Sequence, residues 1–153
     1  MKFEEKQFAI PLVANIVGCP RTTIDAWRNR LGLFKESVTK TKVEKKLTLT
    51  DVCVARAVKV LTDEGVKAED AIMALDYGAV HTQLAGLWNG EPISSIYGYQ
   101  LIDKRREQDP WLKGYFFDPE DFRDMLSKAG GVMIVIDLAS VVSHVRTALN
   151  IKE

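Results

Sequence analysis

Between residues 10 and 34 the chain is punctuated so closely that only short helices fit. Ile10, Val13, Ala14 and Val17 recur at helical spacing, Pro11 suits a first helical turn, and Gly18 stands where a helix ends in a left-handed residue. After "GCP", Thr22 or Thr23 is placed to cap a second segment, in which Ile24 and Trp27, three apart, form one apolar edge. Arg21, Thr22, Asp25 and Arg28 face elsewhere. Two short helices joined by a tight glycine turn make a helix-turn-helix.

The next stretch changes period. From Leu31 to Leu47 apolar periodicity is thin, while "SVTKTKVEKKL" alternates β-branched residues with lysine, the pattern of a hairpin with one wet face, a wing. Charge is concentrated here. Residues 21–46 hold eight basic against three acidic residues, +5, whereas residues 51–153 hold 11 against 16, −5, so a formal net charge of zero conceals a polarised chain.

"TLTD" places Asp51 three residues after Thr48, a capping box in its aspartate form, ahead of a helix that stops at Gly65 and carries Val54, Ala57, Val58 and Leu61 as its core stripe. A further helix covers about 67–76, with Ala71, Ile72 and Leu75 inward. "AVHTQLAGLW" is helical. The turn formers and Pro92 and Pro110 of the following stretch predict a loop or linker over about 89–112. "KGYFFD" reads as a short strand. "DPEDFRDMLSKAGG" reads as a helix capped by Asp118, with Phe122, Met125 and Leu126 inward. "VMIVID" predicts a strand covered on both faces, and the final helix turns Leu138, Val141, Val142, Val145 and Leu149 to one side.

These readings predict a mainly α fold with small β elements: an N-terminal winged helix-turn-helix plus a small C-terminal α/β module. The divisions fall at residues 1–77 (DNA-binding unit), 78–112 (helix and linker) and 113–153 (strand-helix-strand-helix, a candidate for dimerisation). Two placements are open for the apolar C-terminal module: it forms a subunit interface, or it packs back on the first domain's helices.

Composition, 46% hydrophobic and 27% charged, is that of a soluble globular protein rather than a disordered one. No apolar run is long enough for a membrane span, and "MKFEEKQFAI" lacks the pattern of a secretory signal, so a cytoplasmic location is expected. Cys19, Cys53, His81 and His144 are isolated from one another in sequence and show no ligand spacing or nucleophile-base pattern. Neither a metal, a cofactor nor an enzyme is expected.

The order of helix, glycine turn, helix with Trp27, "LGLF", basic wing, "LTLTDV", helix and "EGVKAEDAIMAL" resembles the MerR-type winged helix-turn-helix over about residues 7–76. Ala14 four residues before Gly18, the "LGLF" turn, the Thr48/Asp51 cap and the "EGVKAEDAI" step carry the resemblance. The chain departs from that family's pattern at Leu47, where an aromatic is usual, and at Asp25, where an arginine is usual. Gly78, Gly86, Gly90 and Pro92 interrupt the long helix through which such proteins commonly dimerise.

The motif implies double-stranded DNA as partner. A recognition helix presents its N-terminal side chains to base edges, which is the position of Arg21, Thr22 and Thr23; Arg28 follows one turn on, with Arg30 in the same basic set. Trp27 has two readings, core packing with Ile24 or an indole N–H on a phosphate. Lys35, Lys40, Lys42, Lys45 and Lys46 in the wing suit phosphate contacts. The expected function is that of a homodimeric, sequence-specific transcriptional regulator of repressor type. Alternatives are a phage-type excisionase or DNA-packaging recognition subunit, a protein-interaction adaptor, and a small-molecule sensor built on Trp88, Tyr97, Tyr99, Trp111, Tyr115 and Phe116, for which the residues name no effector.

Overall fold

The computed structural model describes Phe3 and residues 5–34, 46–102 and 111–150. In chain order the elements are β1 (Lys6–Ala9), α1 (Ile10–Val17), α2 (Arg21–Leu31), β2 (Lys46–Thr48), α3 (Leu49–Asp63), α4 (Ala68–Leu75), α5 (Gly78–Trp88), β3 (Ile96–Ile102), β4 (Trp111–Phe117), a 3-10 turn at Pro119–Asp121, α6 (Phe122–Lys128), β5 (Ile134–Asp137) and α7 (Leu138–Ala148). The architecture is mainly α with small β elements, as expected.

Helix α3 is the centre. Its first ten positions alternate little in burial: Leu49 through Ala55 are all buried, followed by Ala57, Val58 and Leu61. A helix apolar nearly all round is a core helix, and α3 packs against α1, α4, α5 and α7. The capping box starts it: the Thr48 hydroxyl accepts from the Asp51 N–H at 3.1 Å, and the Asp51 carboxylate accepts from the Thr48 N–H at 2.9 Å. Both residues are buried, so the reciprocal bonds satisfy groups that water does not reach.

Two small sheets flank the helices. β1 and β2 pair antiparallel, Phe8 opposite Leu47 and Ala9 opposite Lys46. The second sheet has the order β4-β3-β5, antiparallel throughout. Tyr97 and Tyr99, two residues apart on β3, are fully buried, and the Tyr97 hydroxyl donates to the Ala74 carbonyl of α4 at 2.8 Å. This ties the sheet to α4. Gly114 on β4 makes the packing possible, because a Cβ there would lie 2.7 Å from the Tyr97 hydroxyl.

α7 packs on α1, α3 and α5, so its Leu138, Val141, Val142 and Val145 join the same apolar core as the first helices. Of the two placements open for this helix, packing on the first domain's helices is therefore the one observed. The Arg146 guanidinium lies 4.3 Å over the Trp88 ring and donates to the Trp88 carbonyl, joining the ends of α7 and α5.

Several expectations are corrected. Residues 96–102, expected within a loop or linker, form β3, the central strand of its sheet; turn formers crowd both flanks, but "IYGYQLI" between them is rich in β-branched and aromatic residues and finds partners on either side. α2 begins at Arg21 with Pro20 as its N-cap and no side-chain cap, so neither Thr22 nor Thr23 fills that role. Pro20, with no N–H and φ of −61°, already sets the chain direction. Phe122 is 41% exposed, and Met125 and Leu126 are only half-buried, because the predicted helix is split into a 3-10 turn and the seven-residue α6. β5 is an edge strand, not one covered on both faces: Val132 before it is 74% exposed and Ile134 is exposed. β1, for which no strand was expected, exists because β2 offers it an edge. Of the wing, only the last residues fall within the described structure; residues 35–45 lie outside it.

Candidate nucleic-acid interface

The carbonyl end of α1 and the start of α2 meet at a three-residue turn. Gly18 takes φ of +88°, the left-handed conformation that glycine adopts without strain, and its N–H bonds to the Ala14 carbonyl at 2.9 Å, joined by that of Cys19 at 3.1 Å. The last carbonyls of a helix lack intrahelical partners. Here two are met from distant elements: Arg56 Nη1 of α3 donates to the Val17 oxygen at 2.8 Å, and His144 Nε2 of α7 lies 2.9 Å from the Ile16 oxygen. A carbonyl only accepts, so His144 carries its proton on Nε2. The cationic guanidinium also sits at the negative end of the helix dipole.

α2 then stands on its buried edge. Ile24 and Trp27 are buried against the core, at 0% and 6% exposure. Trp27 is thus a packing residue whose ring supports the helix from beneath. On the outer side Arg21, Thr22 and Arg30 are exposed, while Thr23, Asp25 and Arg28 are half-exposed. Arg28 Nε is buried without a hydrogen-bond partner among the described residues. Arg21 and Asp25 form an ion pair, Nε to Oδ2 at 3.6 Å.

α2 ends in "GLF". Gly32 has φ of +72°, the Leu33 N–H bonds back to the Trp27 carbonyl at 3.0 Å, and Phe34 adopts φ of +64°, rare for a residue with a side chain. Tertiary contacts hold it there. The Phe34 side chain is buried and its N–H donates to Asp76 Oδ2 at 3.0 Å, while His81 Nε2 donates to the other oxygen of Asp76 at 2.9 Å. Lys46, where the described residues resume, is exposed on β2, opposite Ala9. Lys35, Lys40, Lys42 and Lys45 lie outside the described residues. Arg56, Asp76, His81 and His144 were not expected at this site, and only tertiary proximity identifies them.

No chemistry of a nucleophile is built here. Burial pushes the thiol of Cys53 up to about 12 and raises that of the half-buried Cys19, so both stay protonated at neutral pH. Among the described residues no group of His, Cys, Asp or Glu side chains is gathered to hold a metal ion. The aromatic residues of the second half are mostly spent on packing: Trp88, Tyr97 and Tyr99 are buried, and Tyr97 stacks on Phe116 at 5.1 Å.

Two short helices about an anchored glycine turn, with a cationic outer face on the second, define a helix-turn-helix DNA-binding domain. Residues 8–78 match the family model of MerR HTH family regulatory proteins, and the N-terminal part of the chain is a MerR-type helix-turn-helix domain. The match points this part to a DNA-binding role in transcription regulation. No curated protein matches the chain. No helix among the described residues is long and apolar enough to cross a membrane.

Proposed function

We propose that the chain is a cytoplasmic, sequence-specific DNA-binding transcriptional regulator of repressor type that acts as a homodimer. The single observation that supports this most is the outer face of α2, where Arg21 and Thr22 project from the helix N-terminus beside a turn held by Arg56 and His144. Laid in a major groove, the N-terminal turn brings Arg21, Thr22 and Thr23 to base edges. Arg28 and Arg30 follow on the next turns, and Lys35, Lys40, Lys42, Lys45 and Lys46 neutralise flanking phosphates. In this reading residues 1–77 bind DNA, and a subunit contact forms on the surface that 113–153 leave exposed once α7 has packed into the shared core, where Val132 and Ile134 stand open. A dimer is needed because one small module contacts too few phosphates and bases for tight specific binding. Repression requires nothing beyond occupancy.

The test is the salt dependence of binding to unselected duplex. With three or more phosphates neutralised per subunit, affinity falls roughly a thousandfold between about 50 and 200 mM salt. An Arg28→Ala, Lys42→Ala double variant weakens binding and flattens the slope. Binding indifferent to salt and to both changes removes the DNA reading and leaves an adaptor whose acidic half meets a basic partner.

A further inference from the structure

The recognition helix carries an acidic residue where DNA contact would favour none. Asp25 sits half-exposed on the outer side of α2, one helical turn after Arg21, and each phosphate of a duplex repels it. For non-specific affinity it is a cost. Its position relative to Arg21 gives it a use: Oδ2 lies 3.6 Å from Arg21 Nε, with the Arg21 side chain 51% exposed and that of Asp25 38% exposed. An exposed pair of this kind adds little to stability. It does place a carboxylate beside the Nε of the guanidinium.

A guanidinium presents five N–H donors in a rigid fork. Asp25 is met through Nε, whereas the paired donor edge of an arginine is made by its two terminal nitrogens. A guanine in the major groove offers two acceptors, O6 and N7, that match such a paired donor edge, and the cytosine N4 amino group offers a donor that a carboxylate accepts. Arg21 is the first residue of α2 and Asp25 the fifth, so both lie toward the end of the helix that meets the bases. Side chains four apart on a helix lie on one face.

We propose that Arg21 and Asp25 act as one reading unit, in which Asp25 orients Arg21 for a guanine and selects a G·C pair in each half-site. This rests on the DNA-binding reading above and names what that helix recognises. Asp25 is a positioning residue when it holds Arg21, and a direct contact when its second oxygen meets a cytosine amino group. Either way it exchanges general affinity for base preference, since it repels phosphates everywhere and is compensated only where the guanine is present.

The experiment is selection of the full chain on a randomised duplex library, followed by competition binding of the selected site against a site with the preferred guanine changed to adenine. The proteins are wild type, Asp25→Asn, Arg21→Lys and Arg21→Ala. Wild type discriminates by roughly tenfold to a hundredfold at one position per half-site. Asp25→Asn binds unselected duplex as tightly as wild type or tighter, while its discrimination at that position falls at least several-fold. Arg21→Lys keeps a positive charge yet loses the preference as Arg21→Ala does, because an ammonium has no paired donor edge. Both side chains are exposed, so thermal unfolding of each variant stays close to wild type, which separates reading from folding.

Salt-dependent binding in which Asp25→Asn retains the full wild-type discrimination overturns this inference and leaves the DNA reading intact. Discrimination that survives Arg21→Lys overturns it too. Absence of salt-dependent duplex binding in every protein overturns both.

Discussion

Arg56 and Val17, 39 residues apart in sequence, are joined by a 2.8 Å hydrogen bond from the guanidinium Nη1 to the main-chain oxygen at the end of the first short helix. With His144 on the neighbouring Ile16 carbonyl, it fixes the helix-turn-helix to the core helix and to the C-terminal helix at once. The turn's geometry therefore depends on residues far outside the motif.

Replacing Arg56 with methionine keeps most of the apolar stem and removes the donor. The Val17 carbonyl then loses its partner, and a destabilisation of about 1–3 kcal/mol is expected. Urea unfolding checks it: the midpoint falls while the slope stays near that of wild type.

Asp76 holds the Phe34 N–H on one oxygen and His81 on the other, with only 11% of its side chain exposed. Asp76→Ala leaves Phe34 in a left-handed conformation without the bond that secures it. A loss of roughly 1.5–3 kcal/mol is expected, in the range of hydrogen bonds to charged groups. Amide hydrogen exchange localises the effect: Leu33 and Phe34 lose protection before the centre of α3 does.

A methyl group at Gly114 would meet the Tyr97 hydroxyl at 2.7 Å and its ring carbon Cε2 at 2.8 Å. Gly114→Ala is expected to destabilise by about 1–3 kcal/mol through overpacking. Tyr97→Phe removes the hydroxyl and its bond to Ala74, costing about 1 kcal/mol alone. Together the two cost less than their sum, since the first clash is with the atom the second deletes; a double-mutant cycle by thermal or chemical unfolding measures the difference.

Stability is expected to fall in alkali. Burial holds the Cys53 thiol up at about 12 against an ordinary 9.0, and the Tyr99 phenol up at about 12 against 10.0; Tyr97 is shifted the same way, by burial first and by Tyr77 second. For a group whose folded value is raised, the unfolded chain releases its proton first, so the stabilisation is complete below the unfolded value and is lost on going up to the folded one. Between pH 9 and 12 each titrating group lowers stability by roughly 1 kcal/mol per pH unit. Unfolding midpoints at a series of pH values test this, and Cys53→Ala makes the fall between about pH 9 and 10 shallower, leaving the contribution of Cys19.

Much of the helical half is legible in order because its signals are local. Gly18, the Thr48/Asp51 box and the 3.6-residue recurrence of Ile10, Val13, Ala14 and Val17 each act within one or two turns, and α1, α3, α4, α5 and α7 fall where those signals put them. The buried edge of α2, Ile24 and Trp27, is legible for the same reason. A strand is different, because its partner is elsewhere in the chain. β1 exists through β2, and β3 through two strands that follow it, so "KQFA" and "IYGYQLI" carry only weak signals of their own.

By itself, then, the order of residues determined where most of the helices lie, which faces of α1, α3, α4 and α7 are apolar and where in the chain positive charge gathers. Tertiary structure decided the rest: that α7 lies in the same core as α1, that Val132 and Ile134 end at an open edge, and that Arg56, Asp76 and His144 serve a turn and a loop far from them in sequence. The reason is range. Helical hydrogen bonds close over four residues, whereas a carbonyl at a helix end or an amide in a left-handed loop must take whichever partner folding brings near.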